Sequence, residues 1–225
     1  MAHYLADVPR PLLFAVAVCV IGLARAPAQT RCTAPLETYS VRAGKHDFDG
    51  GYGLDLSRIG DGEEQSFTMR FSLDSAAWFD PRGAGPLGRD GKDWNKLGGL
   101  SYFSLGSFGT YKKNANAALI GWRPAEEPYR FEWCLYVNPA PDAGRRFAYA
   151  QAGETLTADE AVCVRVDILT DRVTATCASG THDFADLSLP YAIRRRWRVN
   201  VSPWFGGSLP APQDLSLRSA FVVRD

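Results

Sequence analysis

Arg194, Arg196 and Arg198 alternate along a stretch that runs on to Asn200, with Trp197, Val199 and Val201 between them. Side chains in an extended strand point alternately to its two sides, so these three guanidiniums and the Asn200 amide share one face. Planar, permanently charged forks in a row can clamp carboxylates or sulfates with paired hydrogen bonds. The same alternation is also the ordinary pattern of a half-buried strand with its polar side in water, which is the simpler reading. His46 and His182 each precede an aspartate, a pairing that metal binding or acid–base work can use. No ligand spacing surrounds them, so no metal is expected. Asn200-Val201-Ser202 is a glycosylation sequon, but Pro203 follows it and the run is strand-like.

The cysteines carry the clearest covalent chemistry. A short polar start with Arg10 leads into the apolar stretch 12–23 and then Ala26-Pro27-Ala28, a small-x-small cleavage pattern. Residues 1–28 therefore read as a signal peptide. The alternative, a retained membrane anchor, is disfavoured because about a dozen apolar residues are short for a bilayer. Cleavage removes Cys19 and leaves Cys32, Cys134, Cys163 and Cys177. An even number in an exported chain argues for two disulfides, with three pairings open. Cys163 and Cys177 flank two β-rich runs around a turn near Thr170 and Asp171. A three-residue loop centred on Thr170 sets them opposite each other, which predicts Cys163–Cys177 and leaves Cys32 with Cys134. A bridge closing that short loop would contribute about 3 kcal/mol. Zinc is the competing use of four cysteines, but no CxxC spacing is present.

The elements that must position these groups are strands. Runs with β-branched, aromatic or alternating character recur at 65–73, 100–105, 117–122, 129–137, 161–168, 173–177, 197–201 and 215–223, punctuated by Gly, Pro, Asn and Asp. Residues 81–92 form the longest expected loop, of a kind that often borders a binding site. Residues 29–225 thus read as one all-β domain, an antiparallel β-sandwich or jelly roll. Of the 25 basic and 25 acidic residues in the chain, 23 and 24 remain after the leader. That balance argues against a nucleic-acid partner. Export without a spanning segment places the mature chain outside the cell, or in the periplasm of a bacterium, with no stable membrane insertion.

Three patches in order resemble the concanavalin A-like β-jelly-roll polysaccharide lyases that cleave alginate and glucuronan. Asn95-Lys96-Leu97-Gly98-Gly99-Leu100 is similar to their Lys-Leu-Pro-Gly-Leu stretch. Ala117-Ala118-Leu119-Ile120-Gly121-Trp122-Arg123, followed by Glu132-Trp133-Cys134-Leu135-Tyr136, resembles a strand pair reading Ser-x-Arg-x-x-Trp-Arg and then Tyr-x-Tyr. Pro203-Trp204-Phe205-Gly206-Gly207-Ser208, with Ala211 to Asp214 and a final β run, resembles their Phe-Phe-Gly-Gly strand, loop and last strand. The resemblance implies β-elimination on a uronate polymer. That reaction neutralises the substrate carboxylate, removes the neighbouring proton with a base and protonates the leaving oxygen with an acid, often Tyr. It implies catalytic roles for Lys96 and Tyr136, and substrate binding by Arg123. No cofactor is called for.

The departures from that pattern are specific. The family Ser falls on Ala117, its inner Arg on Leu119 and its first Tyr on Cys134. Positions 117, 119, 121 and 123 share a strand face reading Ala, Leu, Gly, Arg, which has lost most of the polar equipment a carboxylate would need. Lys96 can equally be a solvated lysine beside a glycine turn, Tyr136 a packed tyrosine, and Trp122 is expected in the core. The reading favoured is a secreted protein that binds an acidic polysaccharide in a concave sheet through Lys96, Arg123, Tyr136, Arg196 and Arg198. The alternatives are an active uronate lyase and a structural or adhesive sandwich with no glycan site.

Overall fold

The computed structural model describes residues 32–60, 62–83, 92–104, 115–139, 147–178, 185–191, 197–206 and 209–224. The β-branched and aromatic runs fold as strands, in chain order β1 (Glu37–Val41), β2 (Leu56–Arg58), β3 (Gln65–Leu73), β4 (Asn95–Phe103), β5 (Ala117–Pro124), β6 (Arg130–Asn138) and β7 (Ala148–Gln151). They continue with β8 (Leu156–Thr157), β9 (Ala161–Ile168), β10 (Arg172–Cys177), β11 (Leu187–Pro190), β12 (Trp197–Val201) and β13 (Leu215–Arg224). Two antiparallel sheets result. Sheet A runs β1-β13-β3-β9-β10-β11, and sheet B runs β2-β12-β4-β5-β6-β7 with β8 also paired to β6. This is the expected all-β sandwich of jelly-roll type.

Alternation explains the inter-sheet core. Phe67, Met69, Phe71 and Leu73 of β3 and Val162, Val164, Val166 and Ile168 of β9 point inward from sheet A. They meet Ile120 and Trp122 of β5 and Phe131, Trp133 and Leu135 of β6. Each such side chain contributes about 1.5–3 kcal/mol of burial. Sheet B is unusual in burying both faces: all nine residues of β4 are buried, and Trp94, Ala117, Leu119, Cys134, Tyr136 and Val201 form a second apolar cluster on its far side.

The Gly98-Gly99 pair is a bulge inside β4, not a turn beside it. The register with β5 shifts between Lys96 and Gly98, and the two glycines have φ of 120° and 150°. A Cβ at Gly98 would sit 2.3 Å from the Val201 carbonyl oxygen, and one at Gly99 would sit 2.2 Å from that of Ala118. The extra residue lets both Leu97 and Leu100 reach the core while Lys96 faces the opposite side.

The cysteine pairing differs from the sequence expectation. Cys32 bonds to Cys163 across a separation of 131 residues, and Cys134 and Cys177 stay as thiols, so among the described residues there is one disulfide where two were expected. The β9–β10 register is the reason. Cys177 lies opposite Val164 because Ile168 pairs with Val173 around a four-residue loop. A slip of one residue exchanges faces. Cys177 therefore packs against the inter-sheet core, while Cys163 points to the outer side of sheet A, where Cys32 meets it. Cys134 faces the far side of sheet B and cannot meet Cys32.

Peptide mapping of the unreduced protein is expected to yield a single Cys32–Cys163 peptide. Cys163→Ser should lower the urea-unfolding free energy by roughly 2–5 kcal/mol; a Cys163–Cys177 peptide would contradict the register.

Candidate functional site

Lys96, Tyr136 and Arg123 lie on one side of sheet B because the register places them there. Lys96 is opposite Gly121, which is opposite Cys134; Tyr136 pairs with Leu119, and Arg123 with Glu132. The glycine between Lys96 and Cys134 leaves room for the lysine chain to lie across β5. The Lys96 ammonium donates to the Trp94 carbonyl oxygen at 2.5 Å and sits 4.2 Å from the centre of the Tyr136 ring and 5.8 Å from that of Trp204. Such cation–π contacts gain strength where the cation is desolvated. Only 6% of Lys96 is exposed, and this burial lowers its pKa from 10.5 to about 8, with the negative forms of Cys134 and Asp93 opposing the shift.

Burial also pushes the Tyr136 phenol well above its ordinary range, with help from Cys134 and Asp93, so it stays protonated at neutral pH. The Cys134 thiol is raised as well, chiefly by burial and against the pull of Lys96. It is therefore an inert neighbour and not a nucleophile.

Two of the sequence patches meet here directly. Lys96 N–H donates to the Trp204 carbonyl, and Trp204 N–H returns the bond to Lys96, each at 2.9 Å. The Gly206 N–H donates to Asn95 Oδ1 at 3.0 Å. The Pro203 to Gly206 segment is thereby fixed as a short extra pairing along β4.

Arg123 occupies the end of the same face. Its guanidinium lies 4.2 Å from the Trp94 ring centre, pairs with Glu132 through Nε at 2.6 Å, donates to the Lys92 carbonyl at 2.8 Å and reaches Gln151 Oε1 at 3.4 Å. Much of its charge is therefore balanced by Glu132. Beside it opens a pocket of ≈ 510 Å³ lined by Pro81, Arg82, Gly83, Lys92, Arg123, Pro124, Ala125, Glu126 and Glu132. This pocket includes both described flanks of the long loop 81–92, whereas Lys96 lies away from it.

Arg198 is not part of this group. It is 1% exposed between the sheets, donating to Gln65 Oε1 at 2.5 Å and pairing with Asp55 at 3.2 Å. The expected solvated row is thus turned inward at Arg198, and Val201 on the other side of β12 joins the far cluster of sheet B. Asn200 donates its amide to the Gly53 carbonyl. His46 Nδ1 meets the Phe205 carbonyl at 3.1 Å. Arg194, Arg196 and His182 fall outside the described residues. Trp122 is fully buried in the core, as the alternation predicts.

Sequence reasoning missed Trp94, Glu132 and the rim strand β7, although Phe147-Ala148-Tyr149-Ala150-Gln151 alternates large and small residues and so carried a strand signal.

No protein-family model matches the chain, and no curated protein matches it. Solved structures do. An alginate lyase from Klebsiella pneumoniae aligns over 73% of this chain and 60% of its own, with a TM-score of 0.52 and 7% identity. The alginate lyase AlyC3 aligns over 84% of this chain and 75% of its own, with a TM-score of 0.50 and 6% identity. The chain thus has the two-sheet jelly-roll fold found in alginate lyases, and it spans three-fifths of the Klebsiella enzyme. At these identities the likeness is one of fold.

The desolvation of Lys96 has a measurable sign. Its pKa is lower folded than unfolded, so the unfolded chain binds more protons between the two values and stability rises with pH there. The cost of burying the charge is full below pH 8 and is relieved above it. Relative to Lys96→Met, the wild type should gain roughly 2 kcal/mol of unfolding free energy between pH 7 and 9.5 in urea titrations. Parallel profiles would show that Lys96 is solvated.

Proposed function

We propose that this chain is an exported protein that binds an acidic polysaccharide along the far side of sheet B, through Lys96, Tyr136 and Arg123. The observation that carries the reading is the Lys96 ammonium held over the Tyr136 ring beside a buried apolar cluster. A desolvated cation gains more from a carboxylate than a hydrated one does. With a pKa of about 8 it still carries its charge at neutral pH. The jelly-roll fold it shares with alginate lyases supports a uronate-bearing polymer as the partner, and the leader pattern at 1–28 supports an extracellular or periplasmic location. No helix among the described residues is long and apolar enough to cross a membrane.

Binding without turnover fits the residues better than catalysis. β5 offers Ala117, Leu119 and Gly121 where β-elimination calls for groups that neutralise a carboxylate, and Arg123 is tied to Glu132. The second reading, a polysaccharide lyase, rests on the adjacency of Lys96 and Tyr136: a protonated phenol beside a cation is a reasonable general acid. The third, a structural sandwich with no glycan site, has no observation in its favour.

Calorimetry of the mature chain with alginate and with glucuronan, alongside an ultraviolet assay for the unsaturated product, separates the three. Binding without product is the expected result, with affinity falling as the pH rises above 8 and Lys96 loses its proton. Lys96→Ala should weaken binding about tenfold or more, while Lys96→Arg should flatten the pH profile because a guanidinium stays charged. Product formation would replace binding with the lyase reading, and no binding to either polymer would leave the structural one.

A further inference from the structure

Exposed apolar residues are scattered over the surface, and most stand alone. Leu54 precedes β2 and Leu56 opens it at the edge of sheet B, and Tyr129 packs on Trp78 at 5.7 Å. Phe147 and Tyr149 differ. They are 53% and 44% exposed on the rim of sheet B, two residues apart and hence on one side of the chain. Tyr149 pairs with Tyr136 in the register, so that side is the one carrying Lys96.

Each exposed ring leans on a ring of the site. Phe147 stacks nearly parallel on Tyr136, 5.4 Å between centres and 15° between planes. Tyr149 packs on Trp94 at 5.3 Å and 57°. Behind Tyr136 sits the Lys96 ammonium, and over Trp94 sits the Arg123 guanidinium, each 4.2 Å from its ring centre. Each exposed ring thus backs on a more buried ring that itself carries a cation, and Gln151, the next residue on this side of β7, reaches Arg123.

On the reading that the far side of sheet B takes an acidic polysaccharide, we propose that Phe147 and Tyr149 form a stacking platform for its uronate rings, with the ring C–H faces on the aromatics and the carboxylates turned toward Lys96 and Arg123. A pyranose ring presents an apolar C–H face and a uronate adds its charge at the ring's edge, so one sugar can satisfy both kinds of group. Rings already packed against buried partners lose little side-chain freedom on binding. Alternate residues of extended chain, as at Phe147 just before β7 and Tyr149 within it, stand about 6.6–6.8 Å apart, a spacing that supports the extended body of a chain and not a single isolated contact. The rival occupant is a second copy of this chain, added at the open edge of β7.

The test uses the mature chain with defined alginate oligosaccharides, followed by calorimetry across a salt series and by sedimentation. The Phe147→Ala/Tyr149→Ala double variant should bind roughly tenfold more weakly, by analogy with the loss of one stacking platform, and keep the salt dependence of the wild type. Lys96→Ala should reduce that salt dependence. Phe147→Trp/Tyr149→Trp should restore affinity, and the melting temperature of all variants controls for folding. If the wild type binds and the double alanine variant binds equally well, the platform is overturned while the Lys96 reading stands. If the wild type does not bind, both fall. A wild-type dimer that the alanine variant dissolves, with glycan affinity unchanged, would give the surface to a second copy instead.

Discussion

Leu97 and Leu100 are three residues apart and would fall on opposite sides of a regular strand, yet both are fully buried in the core between the sheets. The bulge between Lys96 and Gly98, in which Leu97 has no partner on β5, resolves this conflict, and the candidate site depends on it. Before the bulge Lys96 faces away from the core; after it the strand resumes with Leu100 inward and Ser101 outward. Only glycine fits, because a side chain at either position would collide with a carbonyl oxygen of a neighbouring strand. The same face relies on Gly121, where an added Cβ would sit 2.8 Å from the Cys134 sulfur and fill the space over which Lys96 reaches toward Tyr136. Small residues in β4 and β5 thus set where the one buried cation of the face can go.

How much of this was legible in the sequence follows from how local each signal is. The central strands were readable because period-two alternation and β-branched residues fix them without reference to partners: β3, β9 and β12 begin and end where the pattern does. The short strands β1, β2, β8 and β11 were not, since two to five residues carry too little pattern and edge strands pack on one neighbour only. The side of each strand that faces inward was the harder question. Alternation in β12 separates Arg198 from Val199 and Val201, but in a sheet buried on both faces either set can be the inner one. Arg198 goes inward because Gln65 and Asp55 wait there, partners more than a hundred residues away in sequence.

The disulfide shows the same dependence on a single residue of register. Reading a three-residue loop at Thr170 instead of a four-residue one puts Cys177 opposite Cys163 and not opposite Val164. That one step moves a sulfur from the outside of sheet A to its inside, and with it the whole pairing scheme. Loop length in a hairpin is set by turn geometry that Leu169-Thr170-Asp171-Arg172 does not announce, having no glycine or proline.

On the reading proposed above, the charges on the far side of sheet B favour holding a polymer over cleaving it. A lyase must stabilise a carboxylate whose neighbouring carbon is losing a proton, which calls for fixed donors aimed at that developing charge in a site where they have no better partner. Arg123 has better partners: Glu132 at 2.6 Å and the Lys92 carbonyl hold its guanidinium, and the Trp94 ring covers one side. Lys96 is differently placed. Its ammonium meets a carbonyl and aromatic rings, which attract a cation without neutralising it, and the Asp93 carboxylate acts on it only electrostatically, with no salt bridge between them among the described residues. On the reading proposed above, this cation among aromatics is what retains a uronate. Moving a proton across that uronate needs a second group placed against it, and the alanine, leucine and glycine of β5 occupy the positions from which such a group would act.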